Sequence, residues 1–111
     1  MLIYKILTAD QWAAFDASGT FAGAPIDVAD GYIHTSTAEQ AQETADKHFA
    51  GAEGLMLAAL EADTFGDDLV WEVSRGGAKF PHIYNRPLLR SDLVWVRPMP
   101  LVGGQHVLDL T

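Results

Sequence analysis

The chain contains no cysteine, and this absence alone removes disulfides, thiolate nucleophiles and Cys-ligated zinc or iron–sulfur centres. Basic residues are also scarce. Seven Lys and Arg stand against 15 Asp and Glu, a formal net charge of −8 at pH 7. Affinity for a phosphate backbone comes largely from Lys and Arg releasing counterions, so this balance points away from a nucleic-acid partner. Long apolar runs are missing too. Nothing approaches the ~20 residues of a membrane helix, and the opening Met1–Thr8 is too short for a secretory signal and carries Lys5. The expectation is a cytoplasmic protein with a small-molecule partner, and with neither nucleic-acid nor membrane partners. The oligomeric state has no signature in the chain.

What is present is enough for one core. A hydrophobic share of 49% with three Trp, five Phe and three Tyr in 111 residues predicts a single domain over 1–111. Leu2 to Leu7 reads as a strand. Thr8 with Gln11 three residues on has the spacing of a capping box, Trp12 and Phe15 share a helical face, and Gly19 ends that helix. Thr20 to Asp30 reads as a loop with room for a short strand or turn. From Ala38 to about Ala50, Ala41, Ala45 and Phe49 form a narrow apolar stripe on a second helix, ended by Gly51, with His48 near its C-terminus. Gly54 introduces an apolar run to Ala62 that reads as a central strand. After a polar turn over 63–68, Leu69–Val73 is a strand with Leu69, Trp71 and Val73 on one face and Val70 and Glu72 on the other. Phe80–Tyr84 contains Pro81 and so belongs at an edge or outside regular strand. Leu93–Arg97, stopped by Pro98 and Pro100, and Gln105–Leu110 complete the set, with His106 read as solvated surface. Short connections among the later strands exclude parallel crossovers. The fold class is therefore α+β, a mostly antiparallel, strand-rich sheet with two helices in the N-terminal half.

The stretch Asp30-Gly31-Tyr32-Ile33-His34-Thr35-Ser36-Thr37 concentrates a turn, a short strand, a histidine and three hydroxyls ahead of a helix. Strand alternation sets Tyr32 and His34 on one face. Ser36 or Thr37 caps the helix, each with a Glu or Gln three residues later, and its free N–H groups favour an anion nearby. His34, Glu72, His82 and Tyr84 recur at strand ends. Two imidazoles, a carboxylate and hydroxyls around one cleft can orient a sugar or phosphate and supply acid–base groups. The plainer alternatives are a Glu72 pointing to solvent and a His82 bonded to a backbone carbonyl. His34, His82 and Glu72 also make a three-ligand set of the kind zinc or iron uses, although no His-x-His or His-Glu-x-x-His spacing accompanies them.

The N-terminal Ile3-Tyr4-Lys5-Ile6 strand, Trp12, the segment Asp30–Thr37 with Gln40, Trp71-Glu72, and Phe80-Pro81-His82-Ile83-Tyr84 together resemble the bacterial domain-of-unknown-function family 952. The resemblance implies an ADP-ribosyltransferase-like fold that binds NAD or a related nucleotide sugar in a split cleft. It implies that His34 bonds the ribose with Thr35 and Ser36 beside it, that Glu72 acts with His82 as a catalytic group, and that Trp71 and Tyr84 contact the substrate. The activity so implied is an ADP-ribosyl transferase or hydrolase. A non-catalytic binding module is the alternative.

Overall fold

The computed structural model describes residues 1–111, apart from the side chain of Arg75. Two three-stranded sheets carry it. The first has the order β1 (Leu2–Leu7), β4 (Leu55–Glu61), β8 (Leu93–Met99), antiparallel throughout. The second has the order β3 (Ile33–His34), β6 (Lys79–Ile83), β5 (Leu69–Val73), again antiparallel. Two small pairs, β2 (Thr20–Phe21) with β7 (Leu88–Leu89) and β9 (Leu101–Val102) with β10 (Gln105–His106), complete the strands. The α+β, antiparallel expectation holds, with the strands divided between sheets.

β4 is apolar from Leu55 to Leu60 because both of its faces are covered. Ala58 and Leu60 join Ile3, Leu7, Phe15, Ile33 and Ile83 in one cluster, while Leu55, Leu57 and Ala59 join Tyr4, Ile6, Ala45 and Met99 in the other. Helix α1 (Ala9–Ser18) opens on the Thr8–Gln11 capping box and ends at Gly19, whose φ of 81° is open to glycine. Helix α3 (Ala38–His48) buries Ala41 and Ala45 completely, as the stripe predicts. Its N-cap is Thr37, whose backbone N–H donates to the Gln40 side chain.

Several expectations fail, each for an identifiable reason. The segment read as a loop holds a third helix, α2 (Pro25–Asp30), with Pro25 in its first turn, too short to show periodicity. Pro81 lies in the central strand of its sheet rather than at an edge. Its carbonyl faces the end of β3, where it accepts both the N–H and the hydroxyl of Thr35; β3 is two residues long, so a missing donor at this point interrupts little. β8 runs through Pro98 to Met99, since β8 is itself an edge strand. The last strand covers only Gln105–His106. His106 is buried, not solvated: its Nε2 lies 2.7 Å from the Phe49 carbonyl and pins the end of α3. No helix among the described residues is long and apolar enough to cross a membrane.

Candidate functional site

β1 is the outer strand of its sheet, and its free edge meets the second sheet at a single bridge. Tyr4 and Ser36 exchange two backbone hydrogen bonds, Tyr4 N–H to Ser36 O at 2.8 Å and Ser36 N–H to Tyr4 O at 2.9 Å. Beside this bridge lies a cleft of about 570 Å³, within the range of small-molecule sites. Its walls include Lys5 from β1, Ile26 from α2, Tyr32 and His34 before and on β3, and Phe80 and His82 on β6.

The residue that organises the cleft is Asp27, which sequence reasoning missed. Gly23 lets α2 come close, because a Cβ there would stand 2.9 Å from the Asp27 Cβ. Asp27 Oδ2 then accepts the N–H of Ala24 at 2.7 Å, closing the helix start. Gly31 ends the helix with φ of 85° and turns the chain back. The return brings His34 to the same carboxylate: Oδ1 accepts the His34 N–H at 3.0 Å and faces Nδ1 at 2.6 Å. Lys5 arrives from β1, its Nζ 2.9 Å from Oδ2. Burial by itself would raise the Asp27 pKa; the His34 ring, the Lys5 ammonium and the His34 backbone N–H outweigh it and hold the carboxyl at about 2. Burial pushes the Lys5 ammonium down from its ordinary value, and Asp27 opposes that shift. The signal for Lys5 was in the sequence. Ile3, Lys5 and Leu7 share one strand face, so a lysine between two core residues needs a buried partner.

His34 meets a second carboxylate. Its Nε2 lies 3.0 Å from Asp30 Oδ2 on the solvent side. Tyr32 stands 4.6 Å from the His34 ring and stacks on His82 at 4.1 Å with 10° between planes. The two imidazoles are 5.5 Å apart, centroid to centroid. Behind His82, Glu72 Oε1 faces Nδ1 at 2.8 Å and accepts the Tyr84 hydroxyl at 2.6 Å. Those two contacts, Tyr84 first, lower the Glu72 pKa, and the same bond raises the Tyr84 phenol to about 12.

His34, His82 and Glu72, remote in sequence, therefore converge. Ser36 also lines the cleft, and its hydroxyl lies 3.0 Å from that of Thr44, which donates to the Gln40 carbonyl. Thr35 borders it with its hydroxyl spent on the Pro81 carbonyl. Glu72 and Tyr84 stand behind His82 rather than in the lining. Trp71 is misplaced by the family-based expectation: strand alternation turns it to the face opposite Glu72, half-exposed and away from the cleft. The three-ligand metal arrangement does not form. Both ring nitrogens of His34 face carboxylates, and among the described residues no three His, Asp or Glu gather as a metal-holding group.

A model of the family described as "Protein of unknown function (DUF952)" matches residues 6–96. The chain belongs to this family. It is 51% identical to protein CC0527 from Caulobacter crescentus, whose crystal structure superposes with a TM-score of 0.91 over 96% of this chain and 94% of that one. The solution NMR structure of CC0527 gives a TM-score of 0.84 over 95% and 90% of the two chains. No curated protein matches the chain. The family assignment made from the histidine segments thus stands, while the ADP-ribosyltransferase-like grouping finds no support in these relatives.

Proposed function

We propose that this DUF952 protein binds NAD or a related nucleotide sugar in its cleft, in the cytoplasm, and acts at the ribosyl anomeric carbon by transfer or hydrolysis. One observation carries the reading: two imidazoles, each backed by a carboxylate, stand 5.5 Å apart on the wall of a cleft of ligand size. A carboxylate on Nδ1 fixes an imidazole's tautomer and orientation and strengthens it as an acid–base group. Ser36 supplies a hydroxyl for a sugar, and Tyr32 and Phe80 supply flat apolar surface for a base. In this reading His34 and His82 are the catalytic residues. Glu72 is a positioning residue that acts through His82, replacing the direct catalytic role expected of it from the sequence.

Calorimetric titration with NAD and ADP-ribose, with product analysis, tests this. Binding by the unmodified protein, with product release that slows in both His34→Ala and His82→Ala, supports it; no binding of either ligand to the unmodified protein refutes it. A second reading, a binding module without catalysis, draws on the fact that both nitrogens of His34 already have carboxylate partners. Tight binding without turnover of any nucleotide sugar would select it.

A further inference from the structure

The two imidazoles do not have the same carboxylate partners, and the difference bears on which bond the site breaks. An ionised carboxylate only accepts hydrogen bonds, and a neutral imidazole has a single N–H. His34 faces carboxylates through both nitrogens, Asp27 at Nδ1 and Asp30 at Nε2. Satisfying both takes two N–H groups, so the ring that fits this setting is the imidazolium. His82 faces one carboxylate, Glu72, through Nδ1. The tautomer protonated at Nδ1 satisfies it and leaves a lone pair on Nε2. In these settings the pair can act as one proton donor and one proton acceptor, with Tyr32 packed against both.

Such a pair suits some leaving groups and not others. Nicotinamide departs from NAD as a neutral pyridine and takes no proton. A sugar joined through oxygen leaves an alkoxide, which takes one. We infer that the cleft hydrolyses ADP-ribosyl groups linked through oxygen, with His34 as general acid and His82 as general base, and that NAD is a poor substrate. This rests on the nucleotide-sugar reading above and specifies its bond and direction.

The step balances without a further reagent. Water oxygen forms a bond to the anomeric carbon as the bond from that carbon to the linking oxygen breaks, its electron pair going to the oxygen. That oxygen takes the proton of His34 Nε2, and the proton lost by water goes to His82 Nε2. Free ADP-ribose and an alcohol result, and exchange with solvent resets both rings. Asp30, at the exposed end of α2, holds the donor N–H until the substrate oxygen displaces it. Among the described residues the charged and titratable groups around the pair are Lys5 and Asp27 on the buried side, Asp30 on the solvent side, Tyr32 against both rings, Glu72 and Tyr84 behind His82, and Tyr4 and His48 in the cleft wall.

The test compares three substrates on the full chain: a peptide with ADP-ribose on a serine oxygen, ADP-ribose bearing 4-nitrophenol at the anomeric carbon, and NAD. The expected result is release of ADP-ribose from the peptide with NAD cleaved at least about 100-fold more slowly. His34→Ala, and His34→Gln as a variant that retains a polar group, should lose about 100-fold or more on the peptide. On the nitrophenyl compound they should lose less than about tenfold, because nitrophenolate leaves without a proton. His82→Ala should slow both. A purely structural role for His34 would lower the two oxygen-linked substrates equally, and that outcome overturns the assignment, as does faster turnover of NAD. Calorimetry with ADP-ribose separates the failures. No binding refutes the nucleotide-sugar reading, whereas binding without release from either oxygen-linked substrate refutes this inference alone.

Discussion

Asp27–His34 and Glu72–His82 are the same chemical pair in opposite settings. In the first, the carboxylate is sealed, its side chain 1% exposed, and four groups converge on it: the N–H groups of Ala24 and His34, the His34 ring and the Lys5 ammonium. In the second, the histidine is the sealed member at 5% while the carboxylate is 39% exposed, with the His82 ring and Tyr84 as its partners. A buried charge without its partner loses solvation that nothing replaces, whereas an exposed one is screened by water. The first pair is accordingly a structural hub that also serves the cleft. The second mainly orients a ring, and the two should answer mutation differently.

The largest expected effect is at the hub. Asp27→Ala strands the Lys5 ammonium in the core and frees the start of α2, at a cost of about 3–5 kcal/mol in urea unfolding. A loss below about 1 kcal/mol would make the two pairs equivalent and break the comparison.

The next effect is one of pH. The Asp27 pKa is depressed from 3.8 to about 2, so its contribution is present above the unfolded value and is lost as pH falls from about 4 through about 2. The amplitude is about 2 kcal/mol at 1.36 kcal/mol per unit. Acid unfolding should show this limb in the unmodified protein, and Asp27→Asn should flatten it.

At the second pair the effect is on titration rather than on folding. Tyr84 ionises at about 12 because Glu72 accepts its hydroxyl hydrogen bond and holds the phenol protonated. That bond is present below the ordinary tyrosine value of 10.0 and lost as pH rises toward about 12. In Glu72→Gln, absorbance titration of the phenolate should move Tyr84 back toward 10.0 while the fold persists. The smallest effect is expected one residue away. Trp71→Ala alters the opposite face of β5 and should leave ligand affinity unchanged, and a loss as large as that of His82→Ala would return Trp71 to the site.

Much of this was legible beforehand because it is written locally. The Thr8–Gln11 box, the Ala41–Ala45 stripe, the apolar run of β4 and the shared face of Tyr32 and His34 all depend on residues within a few positions of each other. α2 was missed because six residues give no helical period, although Pro25 followed two positions later by Asp27 is a helix-start signal. The burial of His106 was missed because its partner, the Phe49 carbonyl, is 57 positions away. Pro81 misled in the same manner: whether a proline interrupts a sheet depends on how long the neighbouring strand is, and β3 is only two residues.

By itself the sequence determined the class of the fold and pointed to His34 and His82 as members of the site. Alternation and capping follow from backbone geometry, which each short segment carries with it, and the absence of cysteine and the shortage of cations are independent of folding. Only the tertiary structure decided which polar residues share a carboxylate. Lys5, Asp27 and His34 meet because α2 turns back at Gly31 and β1 offers its edge to Ser36. That convergence is set by packing over separations of up to 29 positions, which no local pattern encodes, and it gives His34 two carboxylate partners and His82 one.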